Sequence, residues 1–316
     1  MLSYIVKRIL SAIPVLLVVS IVIFLIIHIT PGNPASVILG EEATPAQIAE
    51  LEESLGLNLP IHQQYFSWMA GVFQGDLGTS YFMNSPVTEA IGNSIVPTIS
   101  LAIFAQIISL FIAIPIGVLA ANKRGSLTDS SMMVFALLGM SIPSFLLALL
   151  LVLLFGVQLG WLPVAGFRPL SEGLLIHLQY LILPAVSLGA IQAALIARMT
   201  RSSMLEVLNM NYIKSARAKG VKNFGLILKH AFRNALLPIL TVVGGTFGTL
   251  ITGAVVVETV FNIPGIGQLV INSIERRDFA VIQGVVLFIT VVYIFLNLII
   301  DILYGMIDPR VRLDRK

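Results

Sequence analysis

The 316-residue sequence has no cysteine, which excludes disulfides, thiolate metal sites and cysteine nucleophiles at once. It identifies no compartment. Charge is also scarce: Asp, Glu, Lys and Arg make up 11% of the chain against 57% hydrophobic residues, far from an average soluble globular composition. No Gly-Lys dipeptide occurs, so the phosphate-binding loop G-x-x-x-x-G-K-[ST] is missing and any ATP hydrolysis belongs to another polypeptide. The four histidines, His28, His62, His177 and His230, are scattered without ligand spacing, and no metal site is expected from them.

What the chain has instead is long uncharged runs. Six of them, at 9–40, 90–122, 130–167, 173–197, 234–257 and 279–300, can each supply the roughly 20 mostly apolar residues of a spanning helix. They do not alternate as barrel strands would. With the N-terminus placed in the cytoplasm, the inside segments are 1–8, 122–129, 198–235 and 301–316. All but Arg168, Arg276 and Arg277 of the 19 Lys and Arg then fall inside. This is the positive-inside asymmetry, and it predicts an all-α integral membrane protein with six transmembrane helices and both termini cytoplasmic. The net charge of +3 is then no sign of nucleic-acid binding. Lys7 and Arg8 precede the first run as in a signal peptide, but the run is too long for an h-region and no small-residue cleavage site follows, so an uncleaved helix is expected.

The long outside segment, 31–96, offers Thr44 as a helix cap with Pro45 at the first position, and Ile48, Leu51 and Leu55 at helical spacing. Tyr65, Phe66, Trp68, Met69 and Phe73 have the character of an interfacial stretch facing membrane lipid. In the inside segment 198–235, Ile213, Ala216, Gly220 and Phe224, then Ile227, Leu228, Ala231 and Ala235, predict helix, elbow, helix. Gly220 would take the left-handed backbone and Asn223 would cap the second helix. The elbow carries Lys214, Arg217, Lys219 and Lys222, and reads equally as a loop on anionic headgroups or as a protein-docking knob.

Tyr212-Ile-Lys-Ser-Ala-Arg-Ala-Lys-Gly220, with His230-Ala-Phe-Arg-Asn-Ala-Leu-Leu-Pro238, resembles the cytoplasmic loop of inner-membrane permeases in binding-protein-dependent ABC importers, and more narrowly their peptide and nickel branch. Ala216 and Gly220 match the general family pattern, while Lys214 and Ser215 replace its Glu-Ala and Leu237-Pro238 comes later. Glu258-Thr-Val-Phe-Asn-Ile-Pro-Gly-Ile-Gly267, with Arg277-Asp278 and Gln283-Gly284, resembles the segment before the last helix of these permeases. Tyr4-Ile-Val-Lys-Arg-Ile-Leu and Thr30-Pro-Gly-Asn-Pro34 resemble the first of the two permease subunits.

The resemblance implies a single transmembrane permease domain over 1–316 that takes dipeptides or oligopeptides, with nickel complexes or glutathione behind them, in a prokaryotic inner membrane. It implies a second homologous permease, two ATP-binding subunits and an extracytoplasmic substrate-binding protein as partners, with ATP and Mg held by the ATPase subunits and no cofactor in this chain. It implies that Lys214, Ser215, Ala216, Arg217, Ala218, Lys219 and Gly220 form the ATPase-coupling loop. Glycine beside proline at Pro264 and Gly265 predicts a compact turn, and the candidate outer gate is Glu258, Phe261, Pro264 and Gly265, with Glu258 accepting hydrogen bonds and Phe261 filling apolar space.

Two other classes compete with a permease. One is an ATP-independent channel. The other is an intramembrane serine protease with Ser141 as nucleophile and His177 as base, although Ser141 precedes Pro143 in a small-residue run suited to helix packing. Pro115, Pro143, Pro184 and Pro238 are expected to kink spanning segments. Gln106, Gln192 and Asn297 require partners at membrane depth, and Gly244 and Gly248 permit close helix approach.

Overall fold

The computed structural model describes residues 2–30, 33–40 and 43–307, with side chains for 9–30, 33–40, 43–300 and 302. Pro31, Gly32, Glu41 and the basic C-terminal residues Arg310, Arg312, Arg315 and Lys316 lie outside the described residues, as do the side chains of Lys7 and Arg8.

Thirteen α-helical elements run along the described chain: α1 (Leu2–Ile29), α2 (Pro34–Leu39), α3 (Pro45–Ser54), α4 (Ile61–Phe73), α5 (Val87–Asn122), α6 (Leu127–Ser141), α7 (Ser144–Leu151), α8 (Leu174–Leu208), α9 (Asn211–Ala218), α10 (Asn223–Gly225), α11 (Arg233–Val260), α12 (Ile266–Glu275) and α13 (Phe279–Ile307). Two strands, β1 (Thr79–Ser80) and β2 (Ser85–Pro86), form an antiparallel hairpin. Turns of π-helix at Val152–Gln158 and Leu226–Phe232 continue α7 and join α10 to α11.

Five stretches among the described residues are long and apolar enough to cross a membrane: Ile9–Ile29, Val87–Asn122, Leu174–Leu208, Asn223–Val260 and Phe279–Ile300. The sixth expected span is not one straight helix. Its two halves, Leu127–Ser141 and Ser144–Gln158, are bent by 99°. Pro143 is the cause: it has no N–H to donate and holds Ile142 in the extended region (φ −87°, ψ 120°), which ends α6. Pro115, Pro184 and Pro238, by contrast, lie inside continuous helices. The first run also ends earlier than its apolar pattern, at Ile29 rather than residue 40, because Asn33 caps a new short helix by accepting from Ala35 N.

Chain contacts divide the protein into two compact units, one of residues 1–96 and 268–298, the other of 97–267 and 299–316. In the first, Thr44 caps α3 with Pro45 at its first position, as the sequence predicts, and Gln47 answers it in a reciprocal capping box. The aromatic stretch on α4 is only partly surface. Phe66 and Phe73 are exposed, but Tyr65 and Trp68 pack on Phe24 of α1 with ring centroids 5.4 and 6.0 Å away, and the Tyr65 hydroxyl meets Ser20 Oγ at 2.8 Å.

In the second unit, α5, α8 and α11 pack through small residues, the way helices approach where lipid offers no hydrophobic drive between them. A β-carbon on Gly117 would lie 2.5 Å from Thr200 Cβ, and one on Gly189 would lie 2.7 Å from Ala105 O. Gly244 plays the expected part, meeting Ile300 of α13 at 2.8 Å from a virtual β-carbon. Gln106 accepts from Thr246 and donates to Ser109, Gln192 donates to Thr249 Oγ1, and Asn297 donates to Tyr293 O, so these three amides at membrane depth are partnered. Two clusters result. One gathers Leu101, Leu181, Leu250 and Phe261; the other gathers Ile196, Met204, Ile213, Leu226 and Ile239.

Candidate functional site

Helix α8 does not stop at the end of its apolar run. It has 35 residues, about 52 Å at 1.5 Å per residue, against a hydrocarbon core of about 30 Å, and so carries Arg198 and Arg201 on its own last turns. Arg201 is more than a topological charge. Its Nε and Nη2 donate to both carboxylate oxygens of Asp129 at 2.6 and 2.7 Å. Asp129 also accepts from Gly125 N, and Ser126 caps its helix, so the short 123–129 connection is pinned to α8. A charge count cannot single out this pair.

After α8 the chain turns at Asn209 and Met210 into α9, which the expected elbow then ends. Gly220 has φ +79°, a region that L side chains rarely adopt. Gly220 N donates to Arg217 O at 3.0 Å and Val221 N donates to Ala216 O at 3.2 Å. These are the paired bonds of a Schellman cap, and the accompanying apolar contact is met by Ala216 and Val221, both resting on the second cluster. The two residues that carry the family resemblance here, Ala216 and Gly220, thus have one geometric reason: they close the same turn.

The other residues of the loop face outward. Lys214, Ser215, Arg217, Ala218, Lys219 and Gly220 are exposed, Ala216 is half-buried, and Ile213 is buried beneath them. Phe224 and Leu228 are also exposed, so the second expected stripe is carried only by Ile227, Ala231 and Ala235. Asn223 is not the cap. Lys222 takes that position (φ −59°, ψ 143°) with no side-chain bond, and Asn223 is the first residue of α10. The link between the two halves of the motif went unread in the sequence: Asn234 Nδ2 donates to the Tyr212 hydroxyl at 2.6 Å and to His230 O at 3.1 Å. Tyr212 and Asn234 therefore clamp α9 onto the π-turn.

A second constellation closes α11. Phe261 ends the helix, Asn262 takes the left-handed position (φ +48°), and Ile263 N returns to Glu258 O at 2.8 Å, again in Schellman form. The Glu258 side chain is fully buried, where a carboxylate requires hydrogen bonds. Its Oε1 accepts from Thr98 Oγ1 at 2.6 Å and its Oε2 from Gly267 N at 2.8 Å, while Thr98 Oγ1 accepts from Ile266 N at 2.8 Å. Gly265 leaves the room this needs, since a β-carbon there would lie 2.3 Å from the carboxyl carbon. Phe261 is buried within the first cluster and its carbonyl accepts from Gly166 N at 2.7 Å; Pro264 is exposed. The turn is followed by α12, which the sequence reading did not separate from the connection to α13. Thr98, 160 residues away along the chain, gave no local signal.

Ser141 and His177 are engaged elsewhere. Ser141 Oγ donates to Leu137 O of its own helix, and His177 is held by Arg168 O and packs edge-on against Phe167.

The pattern of the binding-protein-dependent transport system inner membrane component matches residues 113–313, and that of the corresponding N-terminal membrane component matches 1–102. The chain belongs to this family. As a member it is a multi-pass inner-membrane permease subunit of an ABC transport system. It is 45% identical over 332 aligned positions to the dipeptide transport system permease protein DppB of Alkalihalophilus pseudofirmus, covering 99% of this chain and 100% of the relative. It is 42% identical over 312 positions to the glutathione transport system permease protein GsiC of Salmonella choleraesuis, covering 99% of each. Among solved structures, the inward-facing MetNI methionine ABC transporter superposes with a TM-score of 0.57 at 19% identity, over 69% of this chain and 96% of that one, which supports the permease fold.

Proposed function

We propose that this permease imports dipeptides or oligopeptides, driven by ATP that its partners hydrolyse. The observation that carries the coupling half of this reading is the Schellman-capped α9, which presents Lys214 to Lys219 to solvent on an anchor of Ile213, Ala216 and Val221. Such a rigid, exposed knob suits a groove on an ATP-binding subunit. Two such subunits hold ATP and Mg, one against this chain and one against a second homologous permease. When they close on nucleotide, the knob moves with them, and α8 and α11, joined to it without flexible linkers, carry the motion into the membrane segments.

Both termini and the α9 segment lie in the cytoplasm in this reading, as the positive-inside distribution of Lys and Arg requires. The 31–96 segment and the Glu258 turn lie outside, where an extracytoplasmic binding protein delivers substrate. There the bonded turn of Glu258, Thr98, Gly265 and Gly267 acts as an outer gate, with Phe261 as its apolar plug.

The peptide substrate is supported by the name and full-length identity of the dipeptide relative. Glutathione, itself a small peptide, is the second reading, favoured by a relative of almost equal identity. Uptake of radiolabelled alanyl-phenylalanine by cells carrying the complete transporter separates these. The expected result is uptake that vanishes when the ATP-binding subunits are removed and resists excess glutathione. Uptake persisting without those subunits would make the chain a channel, and uptake of glutathione alone would move the substrate assignment.

A further inference from the structure

Helices α5 and α6 are held against α8 in different ways. On α5 the contact is interlocked: Gly117 lies against Thr200 and Ala105 O against Gly189, each so closely that a β-carbon would clash at 2.5 or 2.7 Å. On α6 it is loose. A β-carbon on Gly139 would meet Ala190 O at 3.7 Å and Ala194 Cβ at 3.9 Å, ordinary van der Waals separations. The large side chains beside it, Val134, Phe135, Leu137 and Leu138, are mostly exposed and add little to that seam. A smooth seam of this kind resists sliding poorly, because nothing on one helix is wedged into the other.

What fixes α6 lies on its first turn. Asp129 is buried there, gripped by both Arg201 bonds and by Gly125 N at 3.0 Å, while its own N–H donates to Ser126 Oγ. A forked guanidinium–carboxylate pair sets both distance and angle, which a single apolar contact does not. As a source of stability such a buried pair is weak, since apolar residues of similar volume often serve as well. Its geometry is what packing could not supply.

Arg201 stands about two turns before the end of α8 at Leu208, on an uninterrupted helix from which the chain turns directly into α9. Asp129 and Gly139 are about 15 Å apart along α6, and Arg201 and Ala190 about 16 Å apart along α8. Helix α6 therefore runs antiparallel to α8 between one fixed point and one smooth contact, and beyond that contact comes the 99° bend at Pro143. We propose that Asp129 and Arg201 are positioning residues of transport, a strut through which displacement of α9, carried along α8, reaches α6 and the bend. Without the strut, α8 moves and α6 slides on it. This role presupposes α9 as the coupling element and extends it to a segment that α9 does not touch.

Because the chain has no cysteine, spin labels can be placed at Val134→Cys on α6 and Glu206→Cys on α8, both exposed, in the complete transporter reconstituted in liposomes. Pulsed EPR then reads the label distance with and without ATP and vanadate. With the pair intact, one distance should persist in both states. In Asp129→Leu with Arg201→Leu, which puts an apolar contact in place of the pair, the distance should shift on adding nucleotide. Alanyl-phenylalanine uptake per ATP hydrolysed should then fall about tenfold, within the scale of coupling between linked sites. Arg201→Lys keeps the charge and loses the fork, so it tests the same point should the double variant fail to assemble; its uptake per ATP should fall about threefold. The strut is overturned by a label distance that nucleotide leaves unchanged in the variants, or by a double variant with native uptake per ATP, which would make the pair a structural pin only. Native complex that hydrolyses ATP without dipeptide uptake would overturn the peptide reading separately, and the label distances would still decide the strut.

Discussion

Gly265 faces the Glu258 carboxyl group so closely that a β-carbon at Gly265 would stand 2.3 Å from its Cδ. The glycine is therefore fixed by the acid, and the acid by the donors that converge on it, Thr98 Oγ1 and Gly267 N. Gly265→Ala has no way to keep this arrangement. It is expected to destabilise the purified protein by about 2 kcal/mol, in the range for overpacking a tight interior, as read from its thermal unfolding midpoint. Thr98→Val nearly keeps the volume but removes two buried bonds, the one to Glu258 Oε1 and the one from Ile266 N, and should cost a comparable amount, about 2–3 kcal/mol.

If the same turn is the outer gate, loosening it has a functional signature separate from stability. Phe261→Ala empties a fully buried position, and Glu258→Gln exchanges a group that accepts at both oxygens for an amide that cannot. Both variants should raise ATP hydrolysis in the absence of the binding protein when measured on the reconstituted complex. Unchanged basal hydrolysis in both would leave the turn a connector.

Asp129 and Arg201 form a two-point ion pair in which the Asp129 side chain is 6% exposed. Removing one partner strands the other, so Asp129→Asn or Arg201→Leu should cost about 3 kcal/mol. The double variant Asp129→Leu with Arg201→Leu should recover part of that loss. A double variant as unstable as the sum of the singles would show that the two residues act independently.

The six apolar runs and the cap at Thr44 were legible in the sequence because each rests on local composition or on neighbours three residues apart. So was the Gly220 elbow, since only a left-handed position explains a glycine between two helical periods. The bend at Pro143 was legible as a kink, but its 99° depends on how far packing lets the two halves diverge. Asn223 was misread as a cap by one position, because its side chain is the one that caps well whereas the structure puts Lys222, which makes no capping bond, before the helix. Glu258 as an acceptor was readable from an acid beside glycines. Thr98 was not, nor was the clamp of Tyr212 to Asn234, because those pairings exist only once distant segments meet.

Orientation in the membrane is testable because the chain is free of cysteine. Single cysteines at Glu53 and Asn262, both exposed, should react with an impermeant thiol reagent on intact cells, and those at Lys123 and Lys219 should not. Gly265 is unsuitable as a reporter, being buried against Glu258. Labelling at Lys219 in intact cells would invert the topology.

The coupling role of α9 is tested most directly by a substitution series at Gly220, where φ is +79° and a side chain would meet nothing within 4 Å. Only backbone strain then separates the variants. Asn tolerates the left-handed region, Ala costs about 1–2 kcal/mol there, and a β-branched Val costs more. Peptide-stimulated ATP hydrolysis by the reconstituted transporter should fall in the order Gly, Asn, Ala, Val, with Val close to the unstimulated rate and the complex still assembled. Full stimulation with Gly220→Val in an assembled complex would contradict α9 as the coupling element.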